Sequence, residues 1–452
     1  MLKRILRVMT RRKVKNPLVV VMGCTGTGKS DLGVALAKKF NGEVISADSM
    51  QIYKGLDIAT NKVTEEEMAA IPHHMMSFYD PCDPVSYNVH KYRTDVLEIL
   101  EKLWKEDKLP VMVGGTSYYI EAIIYKNNLI TNPSSFQEHL ELREELQNLS
   151  TDELYAELEK VDPEAARLVH RNNRFRVMRA VEIFRVTGKK KSEHFKDQVE
   201  AGAQQLGGLL RLQNTLLIDL DADIDLLDRR LDVRVVKMIE RGLRSEIEQF
   251  YDEHRDNLGA FGAKQSIAVK EYEDYLKLSK EERESPLGQK LFDEGCEHLK
   301  RHTRQYSRKQ RKWVKQRLVM RSAMREVPPI LRLNTSHSFF EKCVPSAEEV
   351  VERFLYGQTL PEPSFGTLER PSTLTENIEN VSSDEDGKLS LQNRSYQEQI
   401  NKVFHCDLCD REVHGVLNWE SHLRGKMHKN FVQKAKRRAE GEAGREEAVV
   451  DV

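Results

Sequence analysis

Leu18-Val19-Val20-Val21-Met22-Gly23-Cys24-Thr25-Gly26-Thr27-Gly28-Lys29-Ser30 joins a short apolar run to a glycine-rich turn ending in Lys-Ser. The run is continuous and rich in β-branched residues, as expected of a parallel strand buried on both faces. The turn satisfies G-x-x-x-x-G-K-S over Gly23–Ser30. Leu32, Leu36 and Phe40 then share one side of a helix expected over Ser30–Phe40. Strand, turn and helix together make this a phosphate loop. Its glycines let successive N–H groups converge on phosphate oxygens, and the helix N-terminus adds its dipole. Lys29 neutralises charge and Ser30 offers a hydroxyl to Mg2+. Gly23, Cys24, Thr25, Gly26, Thr27, Gly28, Lys29 and Ser30 are the candidate phosphate-binding residues.

Outward from the loop, a second strand is expected at Glu43–Ala47, after a turn at Asn41-Gly42. Val89–Lys105 has helical spacing, and Leu109–Val113 reads as a third strand ending at Gly114-Gly115. Strands alternating with helices across short turns predict an α/β fold, a parallel sheet with helices on both faces. Residues 17–133 form this core. Residues 134–205 are polar and helical, clearest at Thr151–Leu158 and Arg174–Phe184, and read as a helical insertion. Residues 206–344 return to the core through a strand at Asn214–Leu220, followed by helix to about Val319. Pro-, Ser- and Asn/Asp/Glu-rich sequence makes 345–398 a linker. A metal module occupies 399–438 and a charged tail 439–452; no internal repeat is found.

Lys+Arg (71) and Asp+Glu (72) nearly cancel, so net charge says nothing about partners. Its distribution does: basic residues crowd at Arg171–Lys191, Lys300–Arg321 and Lys429–Arg438. Such blocks are either anion-binding faces or solvated helix faces. No apolar run approaches the roughly 20 residues of a membrane span, so no membrane association is expected. Four of the six cysteines lack paired spacing, which points to a reducing compartment rather than a disulfide framework. The leader, residues 1–16, has no acid and seven Lys/Arg in its first fifteen residues. It reads equally as a mitochondrial presequence or a basic arm, and Met9 offers a second start.

Asp48, in Ser46-Ala47-Asp48-Ser49-Met50-Gln51, follows the second strand and belongs at the carboxyl edge of the sheet, where ligands bind. There it either takes a proton from a nucleophile attacking something held by the loop, or caps a turn. A phosphate-transferring enzyme would place a Mg2+-binding Asp at the end of another strand. Leu109–Val113 ends instead in glycines, which leaves Asp219 for that role. His73-His74 read as hydrogen-bonded structural histidines. Cys406-x2-Cys409-x12-His422-x5-His428 has the ligand spacing of a zinc finger, with Phe404, Leu417 and Leu423 as its small core. The basic run after it suits either RNA phosphates or, for a purely structural or protein-binding finger, nothing.

GCTGTGKS, ISADSMQIY, IPHHMMSF, VMVGGTSYYIEA, NNRFRVMRAVEIFRVTGKKKSE, LDVRVVKMIERGL, QSIAVKEY and HTRQYSRKQRKWVK occur here in that order. Together they resemble the tRNA dimethylallyltransferase family in its eukaryotic form, over Leu18–Val319 and again over Val403–His428. The resemblance implies that the loop grips dimethylallyl diphosphate, with Thr25 and Arg234 on the diphosphate, Mg2+ on Ser30 and Zn2+ on the finger. It implies Asp48 as general base for N6 of an adenine beside the anticodon. Asp48, Ser49, Met50 and Gln51 would hold that base, and Arg174, Arg176, Gln265 and Arg304 would meet the tRNA. Ala268 stands where the family usually has Gly. A monomer is expected, in mitochondria and cytosol, with the nucleus left open.

Overall fold

The computed structural model describes residues 14–83, 87–126, 129–130, 136–200, 209–258, 262–319, 326–360, 403–409, 411–414, 416–425 and 428–433. The leader up to residue 13, the linker beyond 360 and the tail from 439 lie outside the described residues. Two units are described separately: 1–130 with 198–368, and 131–197 with 369–452.

In the first unit, β1 (Leu18–Gly23) runs through the phosphate loop into α1 (Lys29–Lys39), then β2 (Gly42–Ser46) and β3 (His73–His74). Helix α2 (Val89–Lys105), β4 (Leu109–Gly114) and α3 (Ser117–Ile124) complete its first half. After the insertion come β5 (Thr215–Asp221), α9 (Ile224–Glu240), α10 (Leu243–His254), the long α11 (Pro286–Val314), β6 (Ile330–Asn334) and α12 (Val344–Leu355). The six strands are parallel, in the order β3-β2-β4-β1-β5-β6.

Strand β1 is central, and alternation sends its side chains to two cores. Leu18, Val20 and Met22 join Tyr92, Val96, Leu100 and Leu103 of α2, which recur at helical spacing. Val19 and Val21 join Leu32 and Leu36 of α1 with Val344, Val350 and Val351 of α12. Each fully buried aliphatic side chain contributes about 1.5–3 kcal/mol, so two-sided burial locks this strand's register. Asn88 caps α2 by accepting from the His90 and Lys91 N–H groups.

The expected strands and helices around the loop are present to within one or two residues. Three features differ. The edge strands β3 and β6 were not expected, because an edge strand carries little apolar pattern; only Leu331 of β6 is buried. The linker expected from residue 345 does not begin there: Val344–Leu355 forms helix α12 and buries Ala347, Val350, Val351 and Leu355. Ala268 is 1% exposed, in a core with Tyr272, Phe292 and Leu299, so its extra methyl is accommodated.

Gly23 closes β1 at φ +142°, and a Cβ there would lie 2.2 Å from the Leu220 carbonyl oxygen. Gly23→Ala should therefore destabilise the chain by about 1–3 kcal/mol, through overpacking and strain. Thermal unfolding checks this; an unchanged midpoint would mean that β5 yields freely at this contact.

Among the described residues the insertion has five helices: α4 (Phe136–Asn148), α5 (Thr151–Val161), α6 (Pro163–Leu168), α7 (Arg174–Thr187) and α8 (Lys191–Glu200). Buried Glu182 of α7 receives Arg143 (2.9 Å) and Arg179 (2.7 Å), and Ser150 and Glu153 form a capping box at the start of α5. The finger is an antiparallel hairpin, β7 (Val403–Cys406) and β8 (Arg411–His414), followed by α13 (Val416–Arg424).

Candidate active site

The loop is held in shape by its own side chains. The Thr27 hydroxyl and the Lys29 ammonium each donate to the Cys24 carbonyl at 2.8 Å. Arg234 of α9 donates to the Thr25 hydroxyl at 2.9 Å, so a second cation reaches the loop from a helix about 200 residues on. Burial pushes the Lys29 ammonium down to about 8 and the Arg234 guanidinium down to about 10. Two desolvated cations with little carboxylate compensation form a site short of negative charge. An anion bound there would relieve both.

Asp48 lies two residues beyond β2. The Ala47 N–H donates to the Val113 carbonyl (2.7 Å) and the Thr116 N–H to the Ala47 carbonyl (3.0 Å), which clamps the ends of β2 and β4 together. Asp48 Oδ1 accepts from the Met50 N–H at 2.9 Å, so the turn-capping reading of this residue is correct as far as it goes. Among the described residues no hydrogen bond reaches Oδ2. One oxygen thus shapes the turn. Asp48 acts electrostatically on both Lys29 and Arg234, so the fold brings these three sequence-picked residues together.

The neighbours of Asp48 are less uniform than the motif suggests. The Ser49 N–H donates to the Thr116 hydroxyl at 3.1 Å. Met50 is half-buried against the core. Gln51 accepts from the Ser46 hydroxyl and donates to the Thr60 and Asn61 carbonyls, both at 3.3 Å. Its carboxamide thus ties the end of β2 to residues 60–61, and reading a base edge with it would require exchanging those bonds. Tyr92 stacks on Tyr119 at 3.9 Å and donates to the Ser46 carbonyl at 2.9 Å, supporting the same turn from beneath.

Other picked residues are also engaged. Arg304 pairs with Asp232, and exposed Gln265 accepts from Lys270. In the insertion, Arg174 donates to the Gln147 carbonyl at 2.7 Å and braces α4 against α7, while Arg176 is exposed beside Phe175, itself 61% exposed. Asp219, the alternative Mg2+ ligand, is buried and bound to Arg332 at 3.0 Å. His73 and His74 have partners in the Ile71 carbonyl (2.8 Å) and Glu43 (2.6 Å), as expected of structural histidines.

Sequence reasoning missed Gln310. Its carboxamide accepts from the Thr25 N–H at 2.9 Å and donates to the Gly115 carbonyl at 3.0 Å. The signal lay within HTRQYSRKQRKWVK, where Tyr306 and Gln310 stand one helical turn apart.

In the finger, one ligand atom from each of Cys406, Cys409, His422 and His428 lies within 4.8 Å of the others. The two Sγ–Nδ1 distances to His428, 3.5 and 3.4 Å, fit the roughly 3.5 Å edge of a tetrahedron with Zn–S about 2.3 Å and Zn–N about 2.0 Å. These residues form a Cys2His2 zinc-binding group. His405 lies instead 3.6 Å from Asp407. Phe404 stacks on Trp419 at 5.1 Å, whereas Leu423 is 39% exposed, and the Leu417 side chain lies outside the described residues.

Residues 51–317 match the family model for IPP transferase, 16–76 that for isopentenyl transferase, and 404–428 that for a C2H2-type zinc finger. The chain is 36% identical over 436 residues to the tRNA dimethylallyltransferase of Mus musculus, covering 93% of this chain and 87% of the mouse protein. It is 35% identical over 433 residues to that of Homo sapiens, with the same coverage. The Bacillus subtilis enzyme is 36% identical over 309 residues, covering 67% of this chain and 89% of that protein. A crystal structure of a eukaryotic dimethylallyltransferase acting on tRNA superposes with a TM-score of 0.67 at 28% identity, covering 96% of this chain and all of that one. At this identity and coverage, the chain belongs to the tRNA dimethylallyltransferase family.

Proposed function

We propose that this protein transfers the dimethylallyl group of dimethylallyl diphosphate to N6 of adenosine 37 in the anticodon loop of certain tRNAs, releasing diphosphate. The observation that carries this reading is the juxtaposition of Asp48 with two desolvated cations, Lys29 and Arg234, where the carboxyl ends of β1, β2 and β4 meet.

The diphosphate sits on the loop amides, with Lys29 on one side and Arg234, aligned by Thr25, on the other. Negative charge grows on it as the carbon–oxygen bond breaks, and these preplaced donors meet that charge without reorganising. Ser30, exposed at the start of α1, would hold Mg2+, and the ion would supply further charge neutralisation. Adenine N6 is a poor nucleophile because its lone pair is delocalised into the ring. Asp48 Oδ2 takes the N6 proton as the new carbon–nitrogen bond forms. The adenine must leave its stack to reach the site, which costs less in a loop than in a duplex.

Exposed Arg176 in the insertion, the zinc finger, Gln265 and Arg304 are the tRNA-facing parts of this reading. A monomer is part of this reading, and light scattering checks it. The acid-poor leader supports a division between mitochondria and cytosol, and imaging fusions with and without Met1–Met9 tests it.

Purified protein given labelled dimethylallyl diphosphate, Mg2+ and tRNA should incorporate prenyl groups into tRNA while turning over negligible ATP. ATP hydrolysis stimulated by a small hydroxylated metabolite would replace this reading with a kinase, which the Arg332-bound Asp219 already disfavours. Removing Zn2+ should weaken tRNA binding about tenfold, the loss of roughly 1.4 kcal/mol, and leave kcat at saturating tRNA unchanged. Unaltered affinity in a filter-binding assay would reassign the finger.

A further inference from the structure

We propose that Gln310 is a positioning residue that holds the diphosphate side and the adenine side of the site in register; this rests on the transferase reading above. Gln310 projects from α11 and is 7% exposed. Its Oε1 takes the Thr25 N–H at 2.9 Å, and Thr25 is the residue whose hydroxyl receives Arg234. Its Nε2 donates to the Gly115 carbonyl at 3.0 Å. The next residue, Thr116, accepts the Ser49 N–H at 3.1 Å, immediately beside Asp48. One carboxamide therefore connects the loop that grips the leaving group to the turn that carries the base. Tyr306, one turn earlier on α11, lies near both Thr116 and Gln310.

Two consequences follow from this geometry. The Thr25 N–H is already used, so Thr25 serves the diphosphate through its hydroxyl and Arg234, while the loop amides from Gly26 onward remain for phosphate oxygens. Gly115 must lack a side chain, because a Cβ there would lie 2.1 Å from Gln310 Nε2 and displace it.

If the two halves drift apart, the allylic carbon still loses diphosphate but is no longer met by N6. Water then takes its place: the carbon–oxygen bond breaks with its electron pair leaving on diphosphate, and the water oxygen bonds to the same carbon. The water's proton goes to solvent, and the product is the five-carbon alcohol. Misregister thus has a chemical signature distinct from lost binding or lost folding.

The experiment uses full-length protein, tRNA, Mg2+ and labelled dimethylallyl diphosphate, with alcohol and prenylated tRNA measured together. Gln310→Met keeps the side-chain length and removes both hydrogen bonds; Gly115→Ala displaces the carboxamide without altering it. Each should lower kcat by about 10–10²-fold, the effect of a displacement near 1 Å, with both KM values within about threefold. The alcohol-to-tRNA product ratio should rise several-fold in each. The double variant should be no worse than either single one, because both remove the same connection. Unchanged kcat and product ratio, or effects that multiply in the double variant, would overturn the proposal. So would activity lost only in proportion to unfolded protein at an unchanged ratio. Should Gln310→Met fail to fold, Gly115→Ala carries the test alone. Wild-type protein that prenylates no tRNA would instead sink the transferase reading.

Discussion

Asp48→Asn should lower kcat for tRNA prenylation by about 10²–10⁴-fold while leaving tRNA affinity within about threefold. In the proposed reaction the two oxygens of Asp48 have different duties, and the amide separates them. An Asn oxygen can still accept the Met50 N–H, so the turn beyond β2 keeps its shape. What disappears is a carboxylate able to take the N6 proton. Asp48→Ala removes both duties and should be at least as slow, with a lower unfolding midpoint. If the Asn variant turns over like wild type while the Ala variant fails, Asp48 is a cap and the base lies elsewhere. Lost tRNA affinity in both would make it an RNA-positioning residue.

Arg234→Gln should reduce kcat/KM for dimethylallyl diphosphate by about 10²–10³-fold, with tRNA affinity unchanged. The size follows from the site's deficit of negative charge. Arg234 is held in a poorly solvated place against the Thr25 hydroxyl at 2.9 Å, and in the proposed reaction charge on the departing diphosphate is met there most strongly in the transition state. Arg234→Lys keeps the charge but not the planar fork, and should recover only part of the loss. A decrease below about threefold in steady-state assays would show that the loop and Lys29 suffice, and that Arg234 merely orders Thr25.

Much of this site was legible in the sequence because its parts are local. The phosphate loop is eight consecutive residues, and Asp48 follows a strand whose apolar pattern is plain. Arg234 was found through the family motif LDVRVVKM, since nothing in its own helix marks an arginine that will reach the loop. Gln310 escaped because its meaning lies in two backbone partners, Thr25 and Gly115, which are 285 and 195 residues away in sequence. The engagement of Gln51, Arg174 and Arg304 was hidden for the same reason: residue type shows what a side chain offers, not which neighbour has already claimed it. Strand β6 was missed because edge strands need little apolar pattern, and helix α12 because Pro345 was counted into the Pro-rich linker composition, whereas proline is at home in a helix's first turn.

The placement of β1 has a consequence for synthesis on the ribosome. This strand emerges early, yet one of its neighbours, β5, begins at Thr215, and α12, which packs over its outer core, ends at Leu355. A nascent chain therefore carries its finished glycine-rich turn for hundreds of residues before the surfaces that shape it exist. Products truncated before Ile330 leave the flank of β5 as a row of open backbone groups, a template for self-association. Chaperone demand during translation should accordingly concentrate on the stretch between the emergence of β5 and that of α12.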